Sequence, residues 1–234
     1  SMAGNKTAIA ELTRELLART DVIGRVALNS GFSCFLGLVS LPPRTKKQRV
    51  EAVKEYYLRF LNQLPTIESL ANAEEEVLHK LWEGLGYYSR VRNLKKAAGV
   101  MMERYDGQLP ADYEALLSLP GIGAYTAGAI ASIAFGLPEP AVDGNVLRVI
   151  TRLCADEDDI MKQTTRSRVS DQLRAIYPQE PDRAAAMTQA LMELGATVCV
   201  PNGQPQCDRC PLQEICLAHK QREELKYPIK SSAH

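Results

Sequence analysis

No stretch of this 234-residue chain is apolar for long enough to cross a bilayer. The longest, around Phe32 to Val39, is less than half the roughly 20 residues that a spanning helix needs. Surplus charge is missing too: 28 Lys and Arg stand against 28 Asp and Glu. Bulk charge therefore gives no membrane or nucleic-acid signal, and any polyanion has to be met by a local patch. Sustained polar and apolar alternation, the mark of a half-buried strand, is not found, nor is an internal repeat or a low-complexity tract. The first residues, SMAGNKTAIAEL, lack a charged segment followed by an apolar core. These absences predict a soluble intracellular protein, in cytoplasm or nucleoid if the source is bacterial. Two local gaps matter later: no carboxylate occurs from Val22 through Val50, and Trp82 is the single tryptophan.

What the chain does have is 3.6-residue apolar spacing, which predicts helices near 5–19, 50–63, 74–83, 91–104, 111–117, 124–135, 145–154, 165–176 and 182–197. Connectors such as NQLPT, DGQLPAD and FGLPEPAVDG carry the Pro, Gly and Asp that stop one helix and start the next. The reading is an all-α protein of about ten short helices, long enough for one large domain or two small ones. The segment from Asp21 to Lys47 shows no clean helical face, and HKQREELKYPIKSSAH reads as a fraying helix followed by a linker.

Six cysteines are present. Cys34 and Cys154 stand among apolar neighbours and read as small core hydrophobes. The other four, in CVPNGQPQCDRCPLQEIC, place Cys199, Cys207, Cys210 and Cys216 within eighteen residues, separated by seven, two and five others. A reducing compartment disfavours disulfides, so four close thiols imply a metal. Structural zinc usually takes two CxxC knuckles, whereas only Cys207 and Cys210 form one here. The uneven spacing is nearer to that of an iron-sulfur cluster, with zinc as the alternative.

LPGIGAYTAGAI, Leu119 to Ile130, sets Pro120, Gly121 and Gly123 directly ahead of a helical run. Such a turn uncovers backbone N–H groups at the positive end of a helix and suits a phosphate. It equally suits a plain connection between two helices.

Together, the LPGIG turn, the Asp of PAVDGNV and four closing cysteines resemble the helix-hairpin-helix DNA glycosylases of the endonuclease III class. LWEGLGYYSRVRNL, LPGIGAYTAGAIASIAFG, VDGNVLRV and ALMELGATVC are similar in particular to the MutY-type adenine DNA glycosylases, from about Arg49 to His219. The resemblance implies a monomer that binds double-stranded DNA and removes adenine mispaired with 8-oxoguanine or guanine, in base excision repair. It implies a 4Fe-4S cluster on Cys199, Cys207, Cys210 and Cys216. It also implies a helical barrel domain over 27–137 that carries the hairpin, a cluster domain built from 1–26 and 138–225, a linker over 226–234, and an active site between the two domains.

By the same resemblance Gly121 and Gly123 offer N–H groups to a DNA phosphate, and Tyr87 is the wedge that enters the base stack as adenine flips out. Without it, Tyr87 reads as a core aromatic. Asp143 would stabilise the positive charge that develops on the sugar when the base leaves; read alone, it is a helix N-cap. Asn145 and Tyr125 match positions that set up this site. Bifunctional relatives carry a nucleophilic lysine where Tyr125 stands, and a phenol cannot form an imine, so the implied enzyme is monofunctional. As a plain alternative, Tyr125 is packing at a helix start. Arg90, Arg92, Lys95 and Lys96 could meet phosphates, but a charge run on a helix is normally only a solvated face, and no role is assigned to them.

The sequence departs from the family at one place above all. The Glu that acts as general acid on adenine falls, by gapless counting, on Pro42, with no carboxylate within seven residues either way. The family's Leu-Pro-Trp-Arg, which walls the adenine pocket, falls on Ala27, Leu28, Asn29 and Ser30. The loop between Cys199 and Cys207 is one residue longer than the family's usual interval. The family also continues into a C-terminal domain that recognises 8-oxoguanine, which predicts poorer lesion discrimination for this chain. A DNA-binding homologue with impaired catalysis is the alternative reading.

Overall fold

The computed structural model describes residues 56, 58–86 and 88–231. The segment 22–48, with Pro42 and Ala27 to Ser30, lies outside the described residues, as do Cys34 and Tyr87. The described residues contain no strand, so the all-α expectation holds. They divide into two compact units, with the boundary between Phe135 and Gly136.

The first unit contains α1 (Ile67–Ala71), α2 (Glu75–Trp82), α3 (Ser89–Arg104), α4 (Tyr113–Leu117) and α5 (Ala124–Ala129). α3 is the spine of this unit. Its apolar residues Val91, Leu94, Ala97, Ala98 and Met101 recur at three- and four-residue steps and are all buried, which puts them on one face. α1 and α2 pack against it. Trp82 ends α2 in the core, where Phe60 meets it edge-on at 6.2 Å and its indole N–H donates to the Gly86 carbonyl at 2.9 Å. Helix α1 was missing from the predicted elements. It is five residues long, too short to show a period, and is held by a reciprocal cap in which Thr66 and Ser69 exchange side-chain to backbone hydrogen bonds.

α5 runs on as a π-helix from Ile130 to Ala134. There the Ser132 hydroxyl donates back to the Gly128 carbonyl at 2.8 Å, a side-chain bond that competes with the regular ladder.

The second unit is arranged around α6 (Gly144–Cys154), packed by α7 (Gln163–Ile176), α8 (Pro181–Thr197) and the short α9 (Leu217–Lys220). Every residue of α6 from Val146 to Cys154 is buried, Arg148, Thr151 and Arg152 included. A helix buried all round is normally apolar all round. The two arginines are tolerated because backbone carbonyls satisfy their guanidinium groups. Cys154 lies in this core, as expected.

The tail over 226–231, read from sequence as a linker, is seated on this unit. Tyr227 is 3 % exposed, its carbonyl accepts from Arg152 Nε at 3.0 Å, and the Ile160 N–H donates to the Ile229 carbonyl at 3.0 Å. One buried aromatic in a charged stretch leaves no periodic signal, which is why sequence reading misses it.

Candidate active site and metal loop

Asp143 is the N-cap of α6. Its Oδ1 accepts from the Val146 N–H at 2.8 Å, and its Oδ2 accepts from Asn145 Nδ2 at 3.1 Å. The capping expectation is thus met by one oxygen of the carboxylate, the other oxygen is held by Asn145, and both bonds fix its orientation at a half-buried position. One turn further on, Arg148 donates from one terminal nitrogen to Asn145 Oδ1 at 3.0 Å and to the Gly195 carbonyl. Its Nε donates to the Cys199 carbonyl at 2.7 Å. Another turn on, Arg152 donates to the Val200 carbonyl at 3.0 Å and to Cys199 Sγ at 3.4 Å. A single buried helix therefore carries a hydrogen-bonded line from Asp143 to the cysteine loop.

The line requires close approach of α8. A Cβ added at Gly195 would stand 3.0 Å from Asn145 Cβ and 3.2 Å from its carbonyl oxygen, so Gly195 leaves room for the Asn145 backbone. Arg148 is held below its ordinary pKa, first by burial, which outweighs the nearby Cys199 and Asp143. Sequence reading passed over Arg148 and Arg152, although two arginines four apart inside NVLRVITRLC were the available signal of buried cations with fixed partners.

The four clustered cysteines line one cavity together with Arg152, His219 and Glu224, and none is in a disulfide. Burial pushes the Cys210 thiol up to about 12, with the other loop thiols adding to the rise. Burial pushes Cys207 up to about 11, assisted by Glu224 and its neighbouring thiols. Cys216 is raised for the same first reason. These three thiols become thiolates when a cation offsets the crowded charge, and with Cys199 beside them the donor set fits a metal group. Sequence reading did not single out His219 and Glu224, which sit in the polar tail.

In the first unit, α4 and α5 are joined by the Leu119 to Gly123 turn. Gly121 has φ +76°, and a Cβ there would fall 2.7 Å from Asn93 Cβ, so the turn needs glycine on both counts. Gly123 is the N-cap of α5 with φ −91° and nothing within 4 Å of an added Cβ. Both glycines are exposed, and Tyr125 is half-buried in the first turn of α5. On α3, Arg92 and Lys96 are exposed, while Lys95 donates to the Ala73 carbonyl at 2.7 Å. No described helix is long and apolar enough to cross a membrane.

A helical hairpin with a glycine turn, followed by a capping Asp on a buried helix, describes a class of DNA repair protein. The chain belongs to the HhH-GPD superfamily of base excision DNA repair proteins, whose profile matches residues 45–175. Over 178 residues it is 45% identical to the adenine DNA glycosylase of Rattus norvegicus, covering 75% of this chain and 34% of that protein. The adenine DNA glycosylase of Homo sapiens is 43% identical over 182 residues, covering 76% and 32%. The chain thus spans about a third of the length of these relatives.

Among solved structures it is similar to a thermostable thymine-DNA glycosylase, with TM-score 0.78 and 21% identity over 92% of this chain and 98% of that one. It is similar also to endonuclease III in a non-covalent complex with DNA, with TM-score 0.73 and 26% identity over 93% and 97%. Endonuclease III-like proteins commonly bind a 4Fe-4S cluster.

Proposed function

We propose that this chain forms the core of a monofunctional adenine DNA glycosylase, which acts as a monomer on duplex DNA and excises adenine mispaired with 8-oxoguanine or guanine. The names of the relatives at 43% and 45% identity support the substrate. The observation that carries the reaction is the Asp143 carboxylate, fixed by Val146 N–H and Asn145 Nδ2. In the proposed reaction the bond from C1′ to adenine breaks with its electron pair leaving on the base. Asp143 offsets the positive charge left on the sugar, and water supplies the new C1′ oxygen. Asn145 holds the carboxylate. Tyr125 stands where bifunctional enzymes need an amine, so the product is an intact strand with an abasic site.

Gly121 and Gly123 hold the DNA backbone in this reading, and Tyr87 wedges the stack. The domains are 27–137 for the barrel and hairpin, 1–26 with 138–225 for the cluster domain, and 226–234 beyond them. Cys199, Cys207, Cys210 and Cys216 would hold a 4Fe-4S cluster, which ties the loop together and supplies a redox-active centre. The family profile begins at residue 45, near the end of the block in which Pro42 falls, by gapless counting, at the general-acid position. That observation favours a second reading, a homologue that binds DNA but is slow in chemistry.

The product tests the reaction class. An adenine:8-oxoguanine duplex should yield free adenine, with strand breaks only after alkali and no adduct trapped by borohydride. A trapped adduct would show imine chemistry and overturn the monofunctional assignment.

A further inference from the structure

Cys207, His219 and Glu224 each offer one ligand atom, and the three atoms lie within 4.8 Å of one another. His219 Nδ1 stands 2.6 Å from Glu224 Oε1, and the Cys207 thiol donates to the same oxygen at 3.9 Å. The fold brings them together deliberately. α9 sets His219 just beyond Cys216, Arg222 reverses the chain at φ +57°, and the Glu223 N–H donates to the Ala218 carbonyl at 2.9 Å. Glu224 then points back, with its side chain only 12% exposed against 32% for His219.

Zinc bonds to sulfur, nitrogen and oxygen are about 2.0–2.3 Å, so donors on one ion stand roughly 3.5 Å apart. To take one ion, the Cys207 sulfur has to close in from 3.9 Å on Glu224 Oε1, while His219 Nδ1 and Glu224 Oε1 have to open from 2.6 Å. Charge also favours this set: one thiolate, one carboxylate and a neutral imidazole neutralise Zn²⁺, whereas four thiolates leave two negative charges in a largely enclosed loop. The thiol proton goes to solvent as the Zn–S bond forms. The other imidazole nitrogen, Nε2, lies 3.4 Å from Gln213 Nε2.

We propose that the loop has a second metal state, a single zinc ion on Cys207, His219 and Glu224 with its fourth position open. Cys207 belongs to both sets, so zinc and the cluster exclude each other. That exclusion rests on the cluster reading, and the zinc site itself does not. The second state keeps the loop closed when iron is scarce.

The test is metal content per chain in protein produced either with ample iron or in iron-limited, zinc-supplemented medium, with Co²⁺ as the optical probe. Wild type should hold iron in the first case and one zinc in the second, with a cobalt charge-transfer band of single-thiolate intensity. His219→Ala and Glu224→Ala should each weaken zinc binding roughly a hundredfold or more while iron loading persists. Cys199→Ser should lose iron and keep zinc. If that variant does not fold, the His219 and Glu224 variants still decide. Zinc binding unchanged by both substitutions, a four-thiolate cobalt spectrum, or no zinc at all would overturn the proposal. Absence of iron from iron-replete wild type would sink the cluster reading alone.

Discussion

Arg148 donates from Nε to the Cys199 carbonyl at 2.7 Å while a terminal nitrogen donates to Asn145 Oδ1 at 3.0 Å. One guanidinium thus fixes the backbone of the first loop cysteine and the side chain that steadies Asp143. Glutamine at 148 cannot reach these acceptors and leaves buried carbonyls unpaired, so Arg148→Gln should cost about 2–4 kcal/mol. Lysine should not rescue it, because a point charge lacks the planar fork. Thermal unfolding and iron content should fall together. A full metal load with an unchanged melting temperature would show that the line from Asp143 to the loop is incidental.

Gly121 and Gly123 should respond differently to alanine. Gly121→Ala forces a left-handed φ and a clash with Asn93, and should destabilise the chain by about 1–3 kcal/mol. Gly123→Ala meets nothing within 4 Å at an ordinary φ, and its melting temperature should hold. A loss of duplex affinity in Gly123→Ala, measured at several salt concentrations, would therefore report on backbone approach to DNA. Affinity unchanged in Gly123→Ala and in Gly121→Asp would make the turn structural only.

Asp143→Asn and Asp143→Ala separate capping from chemistry. Asparagine caps helices as well as aspartate does, so Asp143→Asn should melt near wild type yet lose excision. Asp143→Ala should lose excision and about 1 kcal/mol as well. Excision surviving in Asp143→Asn would remove the carboxylate from the mechanism.

How much of this was legible beforehand depended on whether a residue advertises itself locally. The long helices were readable because α3 and α8 repeat apolar residues over four turns or more. Asp143, Gly121 and the cysteines were readable because their neighbours form recognisable strings. Arg148 and Arg152 look like surface charges in one dimension, since burial and carbonyl partners come from Gly195, Cys199, Val200 and Tyr227, far along the chain. His219 and Glu224 become a pair only through the reversal at Arg222.

The seated tail gives a simple test of such long-range packing. Tyr227→Ala removes a buried ring beside the Arg152 contact and should cost about 3 kcal/mol. Phenylalanine at 227 should be nearly neutral, because Arg152 bonds the backbone carbonyl. A neutral Tyr227→Ala would restore the linker reading.

Asp143 stands where the proposed glycosylase mechanism needs its carboxylate, whereas Pro42 falls, by gapless counting, where the family has the acid that protonates adenine. Adenine is a poor leaving group unless protonated, and a positioned acid contributes about 10²- to 10⁴-fold. The most direct measurement is single-turnover excision on an adenine:8-oxoguanine duplex, for the chain as written, for Asp143→Asn, and for a version whose residues 22–48 carry the family pattern. The chain should bind the duplex but excise slowly, Asp143→Asn should abolish what remains, and the replacement should restore the rate by about 10²-fold or more. Fast excision by the unaltered chain would contradict this reading of Pro42, since a carboxylate from elsewhere would then be supplying the proton.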